Sequence, residues 1–223
     1  VIEQILPSAV AVAESFTDPA GLTPLPEEEP LVAAAVEKRR REFTTVRHCA
    51  RRALAELGVA PVPILSGTRG APVWPDGIVG SMTHCDGYRG AVLGRAAAFA
   101  TLGVDAEPHA PLPEGVLEAI ALPAEQARTA ALAAGHPGVC WDRLLFSAKE
   151  SVYKAWFPLT RRWLDFSEAD ISLDPAGTFV ARLLVSGPVL GGVPVTAFTG
   201  RFLVDGGLVL TAIAVPAVPA VAD

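Results

Sequence analysis

Apolar residues recur at three- and four-residue intervals between 32 and 57. Phe43, Val46, Ala50, Leu54 and Leu57 fall on one face, the spacing of a helix with one packed side. Gly58 supplies its stop. Proline and glutamate crowd residues 17–30, and proline and glycine punctuate 61–77, so both stretches read as surface loop. Short β-like runs at 78–82, 88–94 and 99–107 read as strands, and residues 83–87 split the first two. Helices are predicted over 114–121, 124–134 and 142–157, the last opened by Asp142 and closed by Pro158. Further strands are expected at 170–174, 178–185, 195–204 and 207–215.

This order of helices and strands predicts an α+β architecture. The proline-rich run at 108–113 marks a division into residues 1–108 and 109–223. No internal sequence repeat is visible, so the residues alone do not establish two similar halves.

Composition narrows the function. A net charge of −6 disfavours generic nucleic-acid binding, so a phosphate ligand needs a local basic cluster. Three cysteines with no C-x-x-C spacing argue against a disulfide framework and against zinc. The N-terminus lacks signal-peptide features. The apolar run at 208–222 is broken by Pro216 and Pro219 and is too short for a bilayer. A soluble, cytoplasmic protein is expected, with no nucleic-acid or membrane partner.

Four segments carry candidate chemistry. In Gly103-Val104-Asp105-Ala106-Glu107, strand alternation puts Asp105 and Glu107 on one face and Val104 and Ala106 on the other, toward the core. Taken alone, two surface acids are the simpler reading. In residues 146–154, Glu150 and Lys154 form an i, i+4 pair, also an ordinary helix feature. Only three of the 18 basic residues are lysines, however, and Lys149 and Lys154 are two of them. If Glu150 joins Asp105 and Glu107, three oxygen ligands suit a hard ion such as magnesium. The helix at 32–57 also holds Lys38, Arg39, Arg40, Arg41, Arg47, Arg51 and Arg52, either a solvated face or a phosphate clamp. Finally, Arg69 precedes a glycine-rich stretch that leads to Thr83 and His84, a hydroxyl and an imidazole.

Together these segments resemble the Sfp-type 4′-phosphopantetheinyl transferases. The matching motifs are W-P-x-G-x-x-G-S-x-T-H-C at 74–85, G-V-D-x-E at 103–107 and F-S-x-K-E-S-x-Y-K at 146–154. The basic stretch at 38–51 and W-F-P-L-T at 156–160 are similar to the actinobacterial PptT-like branch. The resemblance spans about residues 22 to 215.

The resemblance implies a pseudo-dimer of two similar α+β halves with the active site in the cleft between them. It implies magnesium ligands at Asp105, Glu107 and Glu150. Coenzyme A, the co-substrate, is expected against Arg39, Arg47, Arg69, Thr83, His84, Lys149 and Lys154, with the register among Arg39, Arg40 and Arg41 open. Ser66 departs from relatives that carry lysine there. The implied reaction moves the phosphopantetheine arm onto a serine of an acyl or peptidyl carrier protein and releases 3′,5′-ADP. Glu150 is the first candidate base and Lys154 the group that steadies the leaving diphosphate. Carrier docking is expected around 112–122 and Arg161-Arg162, and the built-in pseudo-dimer implies a monomer. A metal-dependent phosphatase or pyrophosphatase, or a coenzyme A-binding regulator, are the rival readings.

Overall fold

The computed structural model describes residues 1–218. In chain order its elements are β1 (Ala11–Ser15), α1 (Glu37–Glu56), β2 (Leu65–Ser66), β3 (Pro72–Val73), β4 (Ile78–Cys85), β5 (Tyr88–Arg95) and β6 (Phe99–Pro108). Then come α2 (Val116–Ile120), α3 (Pro123–Gly135), α4 (Trp141–Thr160), β7 (Ala169–Asp174), β8 (Thr178–Leu183), β9 (Val189–Leu190), β10 (Val193–Pro194), β11 (Ala197–Asp205) and β12 (Leu208–Pro216).

Two larger antiparallel sheets form, in the orders β1-β5-β4 and β6-β12-β11-β8-β7, beside the two-stranded pairs β2-β3 and β10-β9. Each carries one 20-residue helix, α1 on the first and α4 on the second. This is the expected α+β pair of halves, with unequal sheets. Three apolar clusters bind it together. One lies under α1, around Ala50, Leu54 and Leu93, and one under α4, around Leu144, Trp156 and Phe198. The third fills the seam between the sheets, with Ile2, Tyr88, Val92, Leu102, Val104 and Leu210.

The strand β6 sits at that seam. It ladders to β12, with Asp105 opposite Thr211, so by hydrogen bonding it belongs to the later sheet although it precedes residue 108. Its other neighbour, β4, is joined differently. The Val104 N–H donates to Ser81 Oγ at 3.1 Å and the Ala106 N–H to Thr83 Oγ1 at 3.1 Å. Both faces of β6 are covered. Val104 and Ala106 enter the seam cluster as expected, while Thr101, Gly103 and Asp105 face α4. The Thr101 hydroxyl donates to the Ala155 carbonyl at 3.0 Å. A Cβ at Gly103 would meet the Ser151 carbonyl and stand 2.7 Å from Ala155 N. Glycine is therefore required here for helix and strand to touch.

Several boundaries differ from the expected ones. Thr83, His84 and Cys85 continue β4, paired with Gly90, Arg89 and Tyr88. Only Asp86-Gly87 turns, the dipeptide that favours two-residue hairpins. Pro158 lies inside α4, which runs to Thr160. So near the helix end the ring removes one backbone bond and does not stop the last turn. The loop at 17–30 is pinned by Glu28, which is fully buried and accepts from Leu25 N, Ile64 N and Arg51. The strand β1 has no counterpart among the expected elements.

Candidate active site

Residues of both long helices line one cleft of about 630 Å³ between the halves. Its cationic wall uses only part of the basic run. Arg40 donates to the Val32 carbonyl and pairs with Glu29, and Arg41 pairs with Glu37. Arg51 pairs with Glu28 at 2.7 Å, Lys38 faces Glu42 and Asp86, and Arg52 reaches the Glu14 carbonyl. Within the run, Arg39 and Arg47 line the cleft. Of the three consecutive arginines, Arg39 is the one that faces the cleft.

Arg47 is held in place. Its Nε donates to the Ile64 carbonyl at 2.8 Å, its Nη2 to Ser66 Oγ at 3.2 Å, and its guanidinium lies 3.3 Å from the Phe43 ring centre. Burial pulls its pKa down to about 10, so it stays charged at neutral pH. Ser66 thus braces an arginine of the cleft wall. Arg39 donates to His84 Nε2. His84 therefore acts as acceptor and carries its proton on Nδ1. Burial, with Arg39, Lys154 and Arg89 nearby, pushes its pKa down to about 4.

Arg69 and Arg161 complete the wall. Among the described residues they are the two non-glycine residues with left-handed backbone, at φ 57° and 55°. Arg69 lies 5.1 Å from the Trp163 ring and Arg161 5.9 Å from that of Phe157. Both exposed guanidinium groups bracket an aromatic surface that includes Tyr153. Arg161 was expected only as part of a carrier-docking surface. Nothing in the sequence marks it, because a helix cap in this conformation usually signals itself by glycine.

The acidic floor lies on β6 and α4. Asp105 is buried, and its Oδ1 accepts from Lys154 Nζ at 2.8 Å and from the Thr83 hydroxyl at 3.2 Å. Lys154 also donates to the Val104 carbonyl at 3.0 Å. Asp105 Oδ2 is buried with no hydrogen-bond partner. Glu150 and Glu107 are both pushed above the usual carboxylate pKa, first by burial and then by the charge of Asp105. Glu107 is braced at 2.8 Å by Arg143, which also donates to the Ala110 and Pro111 carbonyls. The sequence reading missed Arg143, whose side-chain partners all lie more than 30 residues away.

Of two further expected phosphate contacts, Lys149 points elsewhere, and Thr83 lines the cleft with its hydroxyl already engaged. Lys149 Nζ pairs with Glu125 at 2.9 Å and donates to the Phe166 and Ala169 carbonyls. Its side chain is buried among α3, α4 and β7, so it is a structural ion and not a phosphate ligand. Neighbours in a helix are about 100° apart, so Lys149 cannot share the face of Glu150 and Lys154. The Thr83 hydroxyl accepts from Ala106 N and gives its one proton to Asp105. A phosphate oxygen only accepts, so Thr83 has no proton left to offer it.

Arginines, a neutral histidine and a lysine stand over one buried and two half-buried carboxylates, between two α+β lobes. Such a fold and site define an enzyme that handles a phosphorylated substrate. The comparisons with known proteins give the particular class. The model of the 4′-phosphopantetheinyl transferase N-terminal domain matches residues 27–94, and that of the 4′-phosphopantetheinyl transferase superfamily matches 101–193. The chain is 56% identical to 4′-phosphopantetheinyl transferase PptT of Mycobacterium tuberculosis (strain ATCC 25618 / H37Rv), over 96% of this chain and 97% of that one. It is 58% identical to 4′-phosphopantetheinyl transferase Svp of Streptomyces mobaraensis, over 97% of this chain and 90% of that one. With 4′-phosphopantetheinyl transferase Npt of Nocardia iowensis it shares 52% identity, over 96% and 99% of the two chains. The chain belongs to the 4′-phosphopantetheinyl transferase superfamily and is an enzyme of that class. Among the described residues no helix is long and apolar enough to cross a membrane.

Proposed function

We propose that this enzyme carries the 4′-phosphopantetheine arm of coenzyme A to a serine of an acyl or peptidyl carrier protein, with magnesium as its metal. Arg39, Arg47, Arg69 and His84 hold the nucleotide phosphates on the cationic wall. Residues 1–108 supply that grip together with Asp105 and Glu107, and residues 109–223 supply Glu150, Lys154 and the carrier-docking surface.

The buried, partnerless Asp105 Oδ2 carries this reading. An anionic oxygen removed from water without a donor calls for a cation. Burial, and after it the field of the same carboxylate, makes Glu150 and Glu107 each hold its proton more tightly than usual. Among the described residues no three His, Cys, Asp or Glu side chains form a ready-made cage. Magnesium does not require one, since it is usually held by one or two carboxylates with water and substrate phosphates completing its shell. Asp105 and Glu150, with Glu107, would hold the ion, and it would neutralise charge on the pyrophosphate.

Glu150 takes the serine proton, directly or through water, as the serine oxygen bonds the β-phosphorus. The bond from that phosphorus to the bridging oxygen breaks, and 3′,5′-ADP leaves. Lys154 steadies the charge on the departing diphosphate. Phosphoryl transfer needs mainly placement and charge neutralisation, which these side chains provide. In this reading the enzyme works as a cytoplasmic monomer.

The test is the intact mass of an apo carrier protein incubated with coenzyme A, magnesium and this enzyme. Gain of the phosphopantetheine arm is expected. Hydrolysis of coenzyme A with an unmodified carrier would mean a phosphatase, and no change at all would mean a binding protein only.

A further inference from the structure

The two sheets meet edge to edge at β4 and β6, and hydroxyl groups bridge them where a backbone ladder is missing. Ser81 makes one such bridge, to Val104 N. Thr83 makes the other and does something more. Its oxygen accepts from Ala106 N at 3.1 Å and its proton goes to Asp105 Oδ1 at 3.2 Å. The ammonium of Lys154 reaches the same Oδ1 at 2.8 Å. Two donors therefore fall on one carboxylate oxygen and none on the other, although both belong to a residue only 5% exposed.

We propose that Thr83 is a positioning residue acting through Asp105, not a coenzyme A contact. The bond to Ala106 fixes the threonine rotamer, because the accepting oxygen must face β6. The proton then has one direction left, toward Oδ1. Thr83 and Lys154 together lock the carboxylate so that Oδ2 alone remains for a cation. Lys154 by itself does not suffice: its ammonium rotates and serves the Val104 carbonyl as well. Threonine suits the task, since a β-branched side chain in a strand is restricted about χ1.

This inference rests on the proposed role of Asp105, and the test separates the two. Thr83→Val keeps the shape and removes the hydroxyl, and Thr83→Ser restores it. Each variant is assayed for Mn²⁺ affinity without substrate, by calorimetry, and for kcat and KM toward coenzyme A. Thr83→Val is expected to weaken Mn²⁺ binding by about 10–100-fold, the usual loss when an outer-shell partner of a metal ligand is removed. Its kcat at fixed magnesium should fall, while KM for coenzyme A stays within about twofold of wild type. Thr83→Ser should recover both quantities, a rescue that loss of strand stability alone would not predict. If Thr83→Val does not fold, Thr83→Cys, whose thiol is a weaker donor, carries the same expectations.

A raised KM for coenzyme A with kcat intact would make Thr83 a phosphate contact and overturn the inference. So would a folded Thr83→Val protein with unaltered Mn²⁺ affinity and kcat. If the wild type binds no Mn²⁺, the metal reading fails, and Thr83 is then judged on the kcat and KM split alone.

Discussion

Lys149 and Glu125 form an ion pair of 2.9 Å whose side chains are 2% and 0% exposed. Glu125 also accepts from Leu122 N and Ile171 N, and Lys149 donates to two carbonyls. A single salt bridge thus ties α3, α4 and β7. Burial pulls the lysine pKa down, although Glu125 opposes that shift.

Removing one partner should destabilise the fold strongly. Lys149→Met is expected to cost about 3–5 kcal/mol, because it strands a buried carboxylate. The double variant Lys149→Met with Glu125→Leu should recover much of that loss. Chemical denaturation of the three proteins checks this. Specific activity per folded molecule should change far less than stability in both variants.

His84 gives the pH prediction. Its native pKa is about 4, against an ordinary value of 6.5. The unfolded chain therefore binds more protons there between those two values. The contribution of His84 to stability is complete above pH 6.5 and is lost as pH falls toward 4. In His84→Gln the stability profile should be flatter across that window. The free enzyme should show the ring titrating near pH 4 by NMR. Coenzyme A should raise that value, because a phosphate beside the ring opposes Arg39, Lys154 and Arg89.

Glu150→Gln tests the base. The amide keeps the size and removes proton acceptance, so kcat should fall by about 10²–10⁴-fold. Coenzyme A binding, measured by calorimetry without magnesium, should change little. Equal losses in affinity and kcat would instead make Glu150 mainly a ground-state ligand.

Arg161 sits at the left-handed cap of α4. A side chain in that conformation costs about 1–2 kcal/mol relative to glycine. Arg161→Gly should therefore stabilise the protein by roughly 1 kcal/mol. It should also weaken coenzyme A binding, because a cation leaves the cleft wall. A gain in melting temperature with unchanged affinity would show that the arginine serves something other than the nucleotide.

Much of this was legible in the residues. The stripe of Phe43, Val46, Ala50 and Leu54 placed α1, and alternation placed Val104 and Ala106 in the core. Lys154 reaches Asp105, and Glu150 lies in the field of the same carboxylate. What stayed hidden depends on contacts distant in sequence. No local pattern shows that the second face of β6 is covered by α4. None reveals that Glu125 takes Lys149, or that Glu28 and Glu29 take Arg51 and Arg40. Three consecutive arginines look equivalent until their partners are fixed.

Gly103 sets the spacing between α4 and β6. The acid on the strand and the acid and ammonium on the helix are separate pieces of one device, and their gap is fixed by an atom that is not there. A methyl group at this point would act as a shim. It would lift the whole helix and carry Glu150 and Lys154 away from Asp105 together, disabling the machinery without altering any of its parts.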